Sequence, residues 1–384
     1  MPLSIPTKQP FYIFSNGVLM RKENTISFVP YATQEEVTVE SDPSLYLEPD
    51  ELETYALHPV DDTLLNTGGR RVIPINNIDS FFVFGEVSFN SKFLNFLTRN
   101  RIPMHLFNFY GFYSGSYYPR EHLLSGYVVV HQVRHYSTKK KRMEIAREFI
   151  VAAAANILRN LKYYTADSRQ GALGHESLEL LFDTITQIES LSASIGGAKD
   201  IPGLMGIEGN IRKVYYQVWQ HLLRSADPAF SFSERVKRPP DNAINALVSF
   251  GNSLMYSACL TEIYRTQLNP TISFLHEPSE RRFSLALDMA EIFKPMFIDR
   301  MIFKLVNTKS IQAKHFTSAL NFCHLNDAGR KIVVKEFEER MRTTIKHRGL
   351  GRQVSYRRLI RLECYKLIKH LIGEDSYHAF RSWW

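Results

Sequence analysis

Four ionisable residues of this 384-residue chain keep unusual company. Glu208, His276, Asp288 and Glu291 lie in segments whose neighbours are apolar and otherwise read as buried helix. Burying such groups costs several kcal/mol unless they are paired or bind a metal. Several in one apolar region therefore point to a divalent-metal site. Glu208 lies just after a Gly-rich stretch, Gly203 to Gly206, with Arg212 and Tyr215 at i+4 and i+7 on the same helical face. His276 follows a Pro270-containing loop, and Asp288 and Glu291 are spaced i, i+3 at the edge of an apolar helical face. Each has a plainer reading. Glu208 could complement a helix dipole or pair with Arg212, His276 could be a satisfied polar residue, and the two acids could form a solvated edge. Taken as ligands, two or three carboxylates with one imidazole and no thiolate favour Mg²⁺ or Mn²⁺ over structural zinc. Such an ion could polarise a phosphodiester and activate water or a 3′-hydroxyl. The chain has no GxxxxGK[ST] loop, HExxH, GxSxG or dinucleotide-binding glycine pattern.

The elements that would position these residues fall into two parts. Residues 1–120 read as β-rich. Phe11 to Phe14 is a short strand, Asn16-Gly17 a hairpin signal, and Val18 to Phe28 further strand. Residues 31–70 are acidic and read as an insertion or long loop with some strand. Arg71 to Ile75, Ser80 to Phe84 and Ile102 to Phe109 are strands, with a short helix over Ser91 to Asn100. From Glu121 the texture is helical. Helices are expected over Lys139–Leu161, Ser177–Ser194, 208–224, 241–262, 283–306, 311–319, 326–344 and 355–371, with a loop from Ile195 to Gly206. The fold class is α+β: a small β-strand domain over 1–120, then a larger all-α domain over 121–384.

Hydrophobic residues make up 44% of the chain, and net charge is +8. Residues 1–80 carry 5 Lys/Arg against 12 Asp/Glu, a balance of −7. The remainder carries 42 against 27, a balance of +15. That asymmetry points to a polyanion met by the larger part. Arg340 to Lys369 concentrates it, with ten basic residues, one acid (Glu363) and interleaved Tyr356 and Tyr365. Arg348, Arg352, Arg357, Arg358 and Arg361 are its candidate phosphate contacts, which give affinity without reading sequence. A second basic run, Lys139 to Arg142 with Arg147, opposes the dipole at a helix start. Cys259, Cys323 and Cys364 are odd in number and far apart, and are expected to be buried reduced thiols. No apolar run is expected to reach the roughly 18–20 residues that span a bilayer, and the start lacks a signal-peptide layout. A cytoplasmic protein with no membrane partner is expected.

Together these segments resemble the CRISPR-associated integrase/endonuclease, the larger core protein of spacer acquisition. The marks are Tyr12 to Gly17, Phe84 to Val87 and Asn108 to Gly115. They continue with Gly206 to Gly209, Arg238 to Asp241 with Asn245-Ala246-Leu247, and His276 with Ser284 to Asp288. The resemblance implies an N-terminal β-strand domain that dimerises and a helical domain with a metal-dependent nuclease site. It implies Glu208, His276 and Glu291 as metal ligands and catalytic residues. Asp288 is a second acidic position, and the choice between Asp288 and Glu291 as third ligand stays open. Arg212, Tyr215 and Arg238 join the candidate DNA contacts. The implied reaction inserts new DNA into a repeat array by 3′-hydroxyl attack on a phosphodiester. The implied partners are double-stranded and branched DNA, a second copy of the chain, and the small adaptation protein of the same system. The competing readings are a stand-alone metal-dependent DNase and a non-catalytic DNA-binding scaffold.

Overall fold

The computed structural model describes residues 8–31, 71–165, 173–236, 239–278, 283–319 and 322–383. Apart from Tyr31, the acidic stretch at 31–70 lies outside them, as does Arg238. The chain forms two compact units, Met1–Arg120 and Glu121–Trp384.

The first unit holds two four-stranded sheets. Its strands are β1 (Gln9–Ile13), β2 (Gly17–Lys22), β3 (Thr25–Pro30), β4 (Arg71–Pro74), β5 (Ile78–Val83), β6 (Val87–Phe89), β7 (Met104–Phe107) and β8 (Tyr113–Tyr117), with helix α1 (Ser91–Asn100) between β6 and β7. One sheet runs β1-β5-β7-β8 and the other β4-β3-β2-β6. Ile13, Leu19, Ile26, Phe81, Phe93 and Leu97 fill the core. Asn16-Gly17 is not the expected hairpin, because β1 and β2 belong to different sheets. A Cβ on Gly17 would lie 2.4 Å from the Val29 carbonyl oxygen, so glycine is required for close approach. Asn16 Oδ1 accepts from the Glu86 N–H at 2.8 Å, tying the crossover to the next turn. The hairpin is instead β2–β3, whose turn carries Glu23 at φ 53°.

The second unit is helical. It contains α2 (Gly126–Ser137), α3 (Lys139–Tyr164), α4 (His175–Ser194), α5 (Ile201–Gln217), α6 (Trp219–Leu222), α7 (Ala243–Tyr264), α8 (Ser284–Lys294), α9 (Arg300–Asn307), α10 (Asp327–Arg342) and α11 (Tyr356–Leu371). Two departures concern the site. The expected loop to Gly206 is helix: Asp200 caps α5, accepting from the Gly203 N–H at 2.9 Å, and Pro202 sits in the first turn. Glu208 is therefore in mid-helix, and the dipole reading fails. The expected 283–306 helix is interrupted at Pro295–Asp299 by a π-turn. Proline removes a helical donor, and buried α3 asparagines donate to carbonyls around the start of the turn. Asn156 Nδ2 donates to the Ile292 carbonyl at 2.9 Å, and Asn160 Nδ2 to the Pro295 carbonyl at 2.6 Å.

The unit is also not all-α. Residues 311–319 form a short turn and β9 (Phe316–Ala319), paired antiparallel with β10 (Phe322–Leu325). A second ribbon joins β11 (Thr344–Lys346) to β12 (Gln353–Ser355). The Phe316-Thr317 start favours extended backbone. Contrary to the expectation that no apolar run is long enough, α7 could cross a membrane by length and composition, with Ser, Asn and Thr punctuating its apolar residues; it is a core helix, mostly buried. The three cysteines are buried and free.

Gly251 of α7 lies against the π-turn. A Cβ there would come 2.6 Å from Ile298 Cγ2. Gly251→Val is expected to lower stability by about 1–3 kcal/mol through overpacking, read as a reduced urea midpoint at unchanged slope. An unchanged midpoint would mean that the α7–π-turn seam can shift.

Candidate active site

Glu208, Arg212, His276, Asp288 and Glu291 come together from α5, from the loop after α7 and from α8. Asp288 is fully buried and its two oxygens are heavily used. Oδ2 accepts from the N–H groups of Phe274 (2.7 Å) and Leu275 (3.0 Å). Oδ1 accepts from the His276 N–H (3.0 Å) and lies 2.8 Å from His276 Nδ1. One carboxylate thus shapes the 274–276 backbone and commits Nδ1 of the imidazole, leaving Nε2 as its donor atom to a ligand. Other contacts brace the same loop. Gln132 of α2 accepts from the Asn269 N–H and donates to the carbonyls of Asn269 and Ile272. Arg142 of α3 donates to the Phe274 carbonyl at 2.8 Å and pairs with Glu277 at 2.7 Å. Arg142 therefore holds the histidine loop, and Arg147 donates to the Ala198 carbonyl, so both basic residues have structural partners.

The two glutamates share a cation. Arg212 Nε donates to Glu208 Oε1 at 2.8 Å, and its terminal nitrogen pairs with Glu291 Oε2. Lys294, three residues after Glu291, reaches Oε1 at 2.5 Å. Burial alone would raise the Glu291 carboxyl, but Lys294 and Arg212 hold it down at about 2. Burial depresses the His276 imidazole, yet Asp288, by hydrogen bond and charge, and Glu291 raise it above 6.5 overall. In the π-turn, burial pushes the Asp299 carboxyl up to about 7 against the pull of Arg212. Among the described residues no three carboxylate, imidazole or thiolate side chains converge on one point. The donor chemistry nonetheless fits a hard divalent ion. A carboxylate has about four lone-pair sites, so Glu208 with one cationic neighbour, and Glu291 with one on each oxygen, keep lone pairs to offer an ion, whereas Asp288 has four N–H partners.

The candidate DNA contacts divide. Tyr215 is fully buried, its hydroxyl 3.3 Å from Asn160 Nδ2, so it cannot touch DNA; placing it there is corrected. The i, i+7 spacing from Glu208 turned it into the core. Arg357 pairs with Glu338 and Arg361 with fully buried Glu262, each at 2.6 Å. Their charges are matched within the fold, which weakens the case for them as phosphate contacts. Arg358 is half-buried, while Arg348 and Arg352 are exposed. Sequence reasoning missed Lys294, Gln132 and Arg142 as parts of the site. The i+3 spacing of Lys294 from Glu291 was a readable signal; nothing local marks Gln132.

Because its pKa is raised on folding, the charged His276–Asp288 pair stabilises the fold below the unfolded value of 6.5, and that contribution is lost as pH rises through the folded value. NMR titration of the metal-free protein should put His276 above 6.5 in wild type and lower in Asp288→Asn. The stability deficit of that variant should be larger near pH ~6 than near pH ~9. An identical His276 titration in both proteins would dissociate the ring from Asp288.

The family model described as CRISPR associated protein Cas1 matches residues 62–339. The CRISPR-associated endonuclease Cas1 of Fusobacterium nucleatum subsp. nucleatum is 44% identical over 377 residues, covering 98% of this chain and 97% of its own. A CAS1 protein from Thermotoga maritima aligns with TM-score 0.77 and 37% identity, over 97% of this chain and 100% of that one. A casposase bound to integration product aligns with TM-score 0.71 over 96% of this chain and 91% of that one; at 18% identity this is a likeness of fold alone.

Proposed function

The chain belongs to the Cas1 family of CRISPR-associated proteins, and from that premise we propose that it is a metal-dependent DNA endonuclease and integrase that joins DNA fragments into a repeat array. The observation that carries this reading is the convergence, from three separate elements, of Glu208 and Glu291 on Arg212 and of His276 on Asp288.

The assignment of roles follows from which lone pairs are committed. Asp288 spends both oxygens on three backbone N–H groups and the imidazole, so it positions rather than ligates. Glu291 is then the third ligand with Glu208 and His276. When bound, Mg²⁺ or Mn²⁺ supplies Lewis-acid stabilisation of charge developing on the phosphodiester. Lys294 and Arg212 keep the Glu291 carboxylate ionised, and both cations would lie beside bound phosphate oxygens, where they would stabilise developing charge. In the joining step a fragment's 3′-hydroxyl oxygen forms a bond to phosphorus, and the bond to the repeat strand's leaving oxygen breaks. One phosphodiester replaces another, so no external energy source is needed. The positive balance of the larger unit, with exposed Arg348 and Arg352, suits DNA as substrate. We assign a second copy through the β-rich unit and the small adaptation protein as assembly partners.

The test is strand transfer with a labelled fragment, a repeat-bearing plasmid, Mn²⁺ and the small partner. Glu208→Ala, His276→Ala and Glu291→Ala should abolish joined product. Asp288→Asn should retain a residue of activity, reduced roughly 10–100-fold. Metal-dependent cleavage without joining would favour the stand-alone nuclease. Equal activity in wild type and His276→Ala would overturn the site assignment and leave a scaffold.

A further inference from the structure

The ribbon β11–β12 is not needed for the chemistry above. We propose that it is a minor-groove wedge, in which Leu350 enters between base steps of duplex DNA while Arg348 and Arg352 lie in the groove on either side. This rests on the DNA-joining reading and adds how the duplex is gripped.

The six residues that join the strands read His347-Arg348-Gly349-Leu350-Gly351-Arg352. The ladder of paired residues extends into them, with the His347 N–H donating to the Arg352 carbonyl and the Gly351 N–H to the His347 carbonyl, both at 2.9 Å. The Leu350 N–H reaches His347 Nδ1 at 3.2 Å. The tip is thus a formed turn, with Gly351 at φ 63° where a side chain would be strained. Leu350 stands at its apex and is 44% exposed, although nearby Val354 and Tyr356 are buried. The two flanking glycines strip bulk from the tip. From Arg340 to Arg361 the sequence contains no acidic residue, so the charged residues flanking the exposed leucine in sequence are cations. Trp383 braces the base of the loop: Arg348 lies over its ring at 5.3 Å, and His347 meets it edge-on.

These features match one kind of partner. An apolar residue held out on a narrow, cationic, glycine-flanked tip suits insertion between stacked bases, which unstacks and bends a duplex. The minor groove is about 6 Å wide, too narrow for a helix but open to a loop of this kind, and its potential draws arginine. A tip that touched only phosphates would gain nothing from the leucine.

The experiment measures fluorescence transfer across an end-labelled duplex of about 30 base pairs bound by the full chain, with chelator present so that no joining occurs. Wild type should raise transfer, reporting a bend. Leu350→Ala should bind within about threefold of wild type yet lose most of the bend. Arg348→Ala/Arg352→Ala should bind roughly 10–100-fold more weakly with a salt slope smaller by about 2. A minor-groove-binding drug should compete with wild type. Because Leu350 is exposed, thermal melting should match wild type and exclude a folding defect. Bending by Leu350→Ala equal to wild type would overturn the proposal. So would indifference to the minor-groove drug, which would point to phosphate or major-groove contact. Since bending is read without catalysis, its failure leaves the catalytic reading intact. Loss of joining in His276→Ala with the bend retained separates the two in the other direction.

Discussion

A single guanidinium holds this site in register. Arg212 stands between Glu208 on α5 and Glu291 on α8, and without it two partly buried carboxylates would face one another across a poorly hydrated seam. Like charges at such range drive one group to take a proton; a protonated carboxyl is a poor ligand. Lys294 adds a second positive charge on the same side as Glu291. Side-chain charges link the two helices, and because they are matched in advance a metal ion would enter a region that is already balanced, with less of the desolvation cost that a bare acidic cluster would meet.

The histidine arm is set by a different device. Asp288 is rigid because it is buried on α8, and it dictates the backbone of the loop that carries His276. The placement of α8 in turn depends on α3, whose asparagines satisfy carbonyls around the π-turn that follows it. Beside a proline that supplies no helical donor, side-chain amides add bonds that fix the neighbouring carbonyls. The chain of dependence runs from Asn156 and Asn160 through the π-turn to α8, and from there to the imidazole.

Much of this was legible in the sequence. Clusters of ionisable residues in apolar surroundings singled out Glu208, His276, Asp288 and Glu291, and the change of texture near Glu121 separated strands from helices. What stayed hidden depended on contacts far apart in the chain. Gly203 and Gly206 read as a loop, but Asp200 and Pro202 supply a cap strong enough to start the helix ahead of them. Asn16-Gly17 carried a hairpin signal, yet its glycine serves a close approach to Val29. Tyr215 shares a helical face with Glu208, but over two turns that face rotates into the core. The different partners of Asp288 and Glu291 could not be read from i, i+3 spacing, because Asp288 is met by backbone amides of residues 274–276, which are distant from it in sequence.

The segment after α11 has a consequence for how the protein is made. Glu363 accepts from the Tyr377 hydroxyl and the Phe380 N–H, while Asn156 donates to the Phe380 carbonyl and accepts from the Ser382 N–H. Asn156 is also the residue that steadies Ile292 on the way to the site. Its bonding spans 226 positions along the chain. Chains emerge from the ribosome at about 5–20 residues per second, so α3 waits many seconds with this buried amide incompletely satisfied. During synthesis the larger unit can collapse, but these bonds of Asn156 form only once residues 380 and 382 are released, so the order in which its parts appear makes the closing of the helical unit a late step.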